Sequence, residues 1–262
     1  MIITTGRCED PEKLVKRAKA LALDLGYNYV PRQRTSITKL VQASKDSVAL
    51  VVLENGARLV RPGHPPIDYH PSMGYVRVKR VIKGDNDPML DAAGMQAGYS
   101  VLDCTAGLGS DSLVFAVKAG PEGKVISLES SSDLAALLKE GMSHYVTDLE
   151  EVNQAMRRIE VRHGDHLDIL REMPDDSVDI VYFDPMFRQP LMASSAINPL
   201  RQFANSDALS LESIQQAERV ARKSVILKEK WGSPEFARLG FQMLERSNSN
   251  ITYGVKFLDN RE

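Results

Sequence analysis

A chain of 262 residues with 43% hydrophobic and 26% charged side chains has enough apolar material for a full core, in one large domain or two small ones. No stretch approaches the roughly 18 to 20 apolar residues a helical membrane span needs; the densest run, Val48 to Leu53, is of strand length. The formal charge of −2 is unevenly spread: residues 1–100 hold 15 Lys+Arg against 10 Asp+Glu, the remainder 18 against 25, so a polyanion would be met more readily by the front of the chain.

The opening residues have no apolar signal core before charges accumulate at Glu9, Asp10, Glu12, Lys13, Lys16 and Arg17, so a cytoplasmic protein is expected. Cys8 and Cys104 are too few for a disulfide framework, and neither has a second Cys or a close His at zinc-ligand spacing, so no metal is expected.

In chain order, Met1 to Thr5 reads as a strand and Pro11 to Leu25 as a helix, with Leu14, Val15, Ala18, Leu21, Ala22 and Leu25 apolar at helical spacing. Asp10 before Pro11 is a helix-start signal, and Gly26 stands where a helix stop belongs. A helix from Ser36 to Ala43 follows, then strands Ser47 to Leu53 and Ala57 to Val60 joined through Glu54-Asn55-Gly56, a hairpin signal. These elements predict a small α/β module over residues 1–72. Its end, Arg61 to Ser72, carries Pro62, Pro65, Pro66 and Pro71 and reads as a connector. Residues 73–98 are read as connector and lead-in helix, and 99–262 as a larger domain.

From Tyr99 onward strands and helices alternate at the spacing of βαβ units. Strands are expected at Tyr99 to Cys104, Lys124 to Glu129, Ile159 to His163, Val178 to Asp184, Ser224 to Lys228, Phe241 to Arg246 and Ile251 to Leu258. Helices are expected at Ser110 to Lys118, Asp133 to His144, His166 to Glu172 and Leu211 to Ala221. The pattern predicts a doubly wound, Rossmann-like α/β fold with a seven-stranded, mostly parallel sheet covered on both faces.

Four features fall at successive strand ends. Asp103-Cys104-Thr105-Ala106-Gly107-Leu108-Gly109-Ser110-Asp111 is a strand running through Asp-x-x-x-Gly-x-Gly into a helix. Its glycines permit a tight turn and close backbone approach, and the helix start offers free amides. A nicotinamide fingerprint would place a third glycine-like residue where Ser112 stands, and the spacing suits S-adenosylmethionine better. Glu129, ending the next strand 20 residues after Gly109, can accept from ribose hydroxyls, as in either cofactor class. Asp165, in Gly164-Asp165-His166, can accept from an adenine amino group, and equally can cap the helix that follows. The fourth is Asp184-Pro185-Met186-Phe187, which resembles the (Asp/Asn)-Pro-Pro-aromatic signature of methyltransferases acting on exocyclic base amines. Such a nitrogen is a poor nucleophile because its lone pair is delocalised. Hydrogen bonds to the Asp184 carboxylate and the Pro185 carbonyl would localise it, and Phe187 would stack on the base.

Together, Asp103 to Asp111 and Asp184 to Phe187 resemble the RsmJ-type methyltransferases, which modify guanine N2 in small-subunit ribosomal RNA; the similarity runs from Tyr69 to Lys230 and includes Val225-Ile226-Leu227-Lys228. The resemblance implies cofactor contacts at Ser110, Asp111, Glu129, Ser130, Asp165, His166 and Asp184, and an RNA partner in the small ribosomal subunit. It departs from the family after Phe187, where only Arg188 and Arg201 are basic before Asp207 in place of a lysine-rich loop. Two other functions compete: an NAD-linked oxidoreductase, which leaves the Asp184 turn without a purpose, and a non-catalytic RNA-binding module using Arg77, Lys79, Arg80 and Lys83, residues that also suit a solvated helix face.

Overall fold

The computed structural model describes residues 1–185, 208–244 and 250–258. Near the N-terminus, β1 (Ile2–Thr5), α1 (Pro11–Leu25), β2 (Asn28–Tyr29), α2 (Ile37–Ser44), β3 (Ala49–Val52), β4 (Ala57–Val60) and β5 (Ile67–Asp68) form a five-stranded sheet ordered β2-β1-β3-β4-β5. The Asp10 side chain accepts from the Lys13 amide and Gly26 closes α1 at φ 70°, as its sequence signals require. Two strands of two residues each escape sequence reading because a strand so short has no period. One of them, β5, lies inside the proline-rich stretch and pairs Arg58 with Asp68 and Leu59 with Ile67.

The residue after β5, Tyr69, turns into the core. Its hydroxyl donates to Met142 Sδ at 3.2 Å, and its ring packs so closely on Gly141 that a Cβ there would fall 2.1 Å from it. Two helices then lead in: α3 (Ser72–Ile82), and α4 (Pro88–Ala93), which is capped by the Asp87 carboxylate.

The larger sheet is laid down by β6 (Ser100–Asp103), α5 (Ser110–Ala119), β7 (Lys124–Glu129), α6 (Ser132–His144), α7 (Glu150–Arg158), β8 (Ile159–His163), α8 (His166–Glu172), β9 (Val178–Phe183), α9 (Leu211–Val220), β10 (Ala221–Lys230), α10 (Glu235–Leu239), β11 (Gln242–Met243) and β12 (Ile251–Phe257). Its order is β11-β12-β10-β9-β6-β7-β8, and it is parallel apart from the antiparallel pairs that β12 makes with β10 and β11. The seven-stranded doubly wound sheet expected from the sequence is therefore present. The predicted strand from Phe241 is only two residues long where described, and α7, with apolar Val152, Ala155 and Met156 among charges, went unread because it follows α6 without a strand between.

Central parallel strands are buried on both faces, which is why they read as continuous apolar runs. Val101, Val125, Ile180, Tyr182 and Ile226 face a core shared with α5, α6 and α7 and with Ile3, Leu50 and Leu59 of the N-terminal sheet. Leu102, Ile126, Leu128, Val181, Phe183, Val225 and Leu227 face a second core with Leu170, Ile214, Ala217 and Phe236. The strand order reverses between β7 and β9 on either side of β6, so the carboxyl ends of β6 and β9 flank the crevice where such sheets bind ligands. Among the described residues no helix is long and apolar enough to cross a membrane.

Candidate active site

The loop after β6 makes a tight turn over the carboxyl edge of the sheet. Gly107 (φ 55°) and Gly109 (φ 73°) both take left-handed backbone that a side chain resists. A Cβ on Gly109 would also stand 2.3 Å from Met142 and 2.8 Å from Leu138, so the loop is pressed onto α6. Asp103 braces it from below. Its carboxylate accepts from the Thr105 amide at 3.1 Å and from the Ser112 hydroxyl, which in turn meets Ser127 Oγ at 2.7 Å. Burial pushes this carboxyl up to about 7, against the pull of the Ser112 hydrogen bond, with Asp111 adding to the rise. Asp103 is thus turned into the sheet, and Ser110 and Asp111 open α5 above it.

Glu129, at the end of β7, gives one carboxylate oxygen to the Gly107 amide at 2.9 Å and the other to the Ser131 amide at 2.8 Å. Burial raises its pKa, offset in part by those two amides. A carboxylate has capacity for about four donors, so each oxygen retains room for a hydroxyl. The Ser130 carbonyl meets His163 Nε2 at 3.2 Å, and the Gly164 amide donates to the Glu129 carbonyl at 3.0 Å, tying the β8 loop to that of β7. Asp165 caps α8, accepting from the Leu167 amide at 2.8 Å. His166 lies edge-on to Phe183 and contacts Ser213 Oγ at 3.1 Å; burial lowers its pKa.

At the end of β9 the Asp184 amide donates to Thr105 Oγ1, joining the Asp184-Pro185 turn to the glycine loop. The Asp184 carboxylate receives Lys228 Nζ at 2.6 Å, and the same ammonium lies 2.8 Å from Asp111 Oδ2. Asp111 also accepts from the Tyr182 hydroxyl at 2.7 Å and from Arg77, whose guanidinium forks onto Asp87 at 2.7 and 2.8 Å. Burial opposes ionisation of Asp111, but Lys228 and Arg77 outweigh it and hold its pKa well below the usual carboxylate range. For Lys228 burial lowers and the two carboxylates raise, with a net rise. Asp184 is left at about 6, raised by burial and by Asp111 against the pull of Lys228.

The structure therefore brings Asp103, Gly107, Gly109, Ser110, Asp111, Glu129, Ser130, Asp165, His166, Asp184 and Pro185 to one carboxyl edge. Met186 and Phe187 lie outside the described residues. Sequence reasoning missed Arg77 and Lys228 as site residues. Arg77 belongs to the basic run that suits a nucleic-acid face, yet it is mostly buried in ion pairs, leaving Lys79, Arg80 and Lys83 exposed. Helical spacing carried the signal: Gly74 and Val78, on the buried face of α3, flank Arg77 at the third preceding and the next position.

The model of the family described as "Putative SAM-dependent methyltransferase" matches residues 33–247. Uncharacterized protein YpiP of Bacillus subtilis (strain 168) is 38% identical over 97% of this chain and 98% of its own length. Ribosomal RNA small subunit methyltransferase J of Buchnera aphidicola subsp. Schizaphis graminum (strain Sg) is 30% identical over 56% of this chain, which spans 59% of that relative's length. Among solved structures, a SAM-dependent methyltransferase from Neisseria gonorrhoeae superposes with a TM-score of 0.59 at 17% identity, over 100% of this chain and 98% of that one, a likeness of fold. The chain belongs to the SAM-dependent methyltransferase family, and its cofactor is S-adenosylmethionine.

Proposed function

We propose that this methyltransferase modifies an exocyclic amine of a nucleobase in RNA, guanine N2 of small-subunit ribosomal RNA being the acceptor its RsmJ-type resemblance points to. The observation that carries this reading is the seat of Asp184-Pro185 at the end of β9, beside the glycine loop, with the Asp184 carboxylate held by Lys228.

The residues present fit the cofactor. Bound there, S-adenosylmethionine supplies an electrophilic methyl group on a sulfonium. Glu129 would accept from the ribose hydroxyls, Asp165 from the adenine amino group, and Ser130 and His166 would line that end. Gly107 and Gly109 would let the backbone approach, with Asp103 holding their turn. Ser110 and Asp111 would meet the amino-acid end. Asp184 and the Pro185 carbonyl would accept hydrogen bonds from the amine protons and so localise its lone pair. Phe187 would stack on the base.

Residues 99–262 are proposed as the catalytic unit, with 1–72 as an RNA-facing module and 73–98 as the lead-in. Exposed Lys79 on α3 and Lys83 at its C-cap, with Arg80 beside them on a surface pair with Asp85, would supply part of the phosphate attraction that the sparse basic residues after Phe187 do not. The test is Asp184→Ala: it should keep the fold and measurable cofactor binding and lose methyl transfer by a factor of about 100 or more. Unchanged turnover sinks the mechanism.

A further inference from the structure

Two carboxylates held close together at the carboxyl edge of the sheet pose an electrostatic problem. Asp111 and Asp184 both reach the single ammonium of Lys228, at 2.8 and 2.6 Å, so their oxygens crowd one point. Asp103 on β6 adds a third carboxyl close by. On the other side, Arg77 of α3 is shared between Asp111 and Asp87 and does not reach Asp184 among the described contacts. The remaining titratable groups are the Tyr182 hydroxyl on β9, which donates to Asp111, and buried Tyr253 of β12, in register with Lys228. Neither neutralises a charge. Of the described cations, Lys228 alone touches Asp184.

Like carboxylates in contact do not both ionise unless a cation intervenes. Asp111 has two cations and takes the charge first. Asp184, with one shared cation, is the member of the pair that would hold a proton. A protonated Asp184 would present a hydroxyl donor to an amine nitrogen and tie up the lone pair needed for attack, whereas a carboxylate accepts from the amine hydrogens and frees it. The charge state of this one group therefore decides whether the acceptor motif helps or hinders.

We propose that Lys228 is the positioning residue of the acceptor subsite: by bridging Asp111 and Asp184 it keeps both ionised at neutral pH and aims the Asp184 carboxylate at the incoming amine. This rests on the reading that Asp184 receives the amine. Lys228 leaves β10 on the same face as Ile226, one strand away from Asp184 and level with it, since Leu227 pairs with Phe183. Its reach is thus set by the sheet and not by a loop.

The test is the pH dependence of kcat/KM for methyl transfer to small-subunit RNA, measured between pH 5 and pH 8 on the intact enzyme, with cofactor affinity followed by calorimetry. In K228Q the acid limb should move up by about one pH unit or more. In D111N, which removes the competing charge, it should move down. In K228R it should stay near the wild-type position. A K228Q enzyme slowed by the same factor at every pH, with its limb unmoved, overturns the proposal. Should K228Q fail to fold, the downward shift in D111N remains as the criterion, and an unmoved limb there is equally contrary.

If wild-type enzyme binds cofactor but labels no RNA, the substrate reading fails instead. The Lys228 proposal is then decided without substrate, by titrating the carboxyl carbons of 13C-labelled aspartate in wild type and K228Q, with Asp184→Asn assigning the resonance. An Asp184 signal titrating higher in K228Q supports it, and an unshifted signal overturns it.

Discussion

Gly74 of α3 rests directly on the backbone of Ser110 at the start of α5: a Cβ at Gly74 would lie 2.6 Å from the Ser110 carbonyl oxygen and 2.9 Å from its Cα. The lead-in helix is thereby fixed against the end of α5 that follows the glycine loop, and three residues on it delivers Arg77 to Asp111.

Gly74→Ala has only rigid backbone to push against, so α3 and α5 must separate. Overpacking of this kind costs about 1 to 3 kcal/mol. Denaturant unfolding should show that loss, and calorimetry should show weaker cofactor binding as Ser110 and Asp111 shift. A variant matching wild type in both would mean that the contact is slack.

Glu129 ties the loops after β6 and β7 together, and under the proposed function its carboxylate also receives the ribose hydroxyls. Glu129→Gln keeps the size and loses the charge. The loss of charge-assisted hydrogen bonds is worth about 1.5 to 3 kcal/mol, or about ten- to a hundredfold in cofactor affinity. Thermal unfolding should change far less than binding; the reverse ranking would assign Glu129 a purely structural role.

Asp103 links stability to pH. Its folded-state pKa, about 7, lies above the ordinary carboxylate value of about 3.9 that the unfolded chain would show. The folded protein therefore binds the proton more tightly. The stabilisation from this group is complete below about pH 4 and declines as pH rises to about 7, at up to about 1.4 kcal/mol per pH unit. Asp103→Asn removes the titration, and the Ser112 hydroxyl can turn to accept from the new amide. Urea unfolding at several pH values should show wild type losing stability relative to the variant across this window. A constant difference would refute the assignment.

Tyr69 couples the N-terminal sheet to α6 and α7 through one buried ring. Tyr69→Ala should cost about 3 to 5 kcal/mol. Because its core is continuous with that of β1, β3 and β4, far-UV and near-UV circular dichroism should report one shared transition. Two separated transitions would show that the halves fold independently.

That the glycine loop, Glu129, Asp165 and Asp184 stand at one sheet edge is legible in the sequence because each marks a local junction: a strand, a turn and, for most, a helix start within about a dozen residues. The charge network is not. Arg77 finds Asp111 across 34 residues and Lys228 finds it across 117, and such pairing follows from the sheet order, which the chain does not spell out. In the sequence Lys228 reads as the end of a strand motif and Arg77 as a surface charge. Strand β5 was hidden by prolines, and α7 by the missing strand before it. The seven-strand alternation, by contrast, survives in the pattern of apolar runs, since burial on both faces leaves little room for other residues.

The most direct test of the account is to incubate the purified protein with methyl-labelled S-adenosylmethionine and small ribosomal subunits from cells lacking its gene, and to ask which molecule carries label. The account predicts label in the small-subunit RNA, on the exocyclic amine of a guanine. Bound cofactor with no label in that RNA, or label on its ribose or on protein alone, would contradict it.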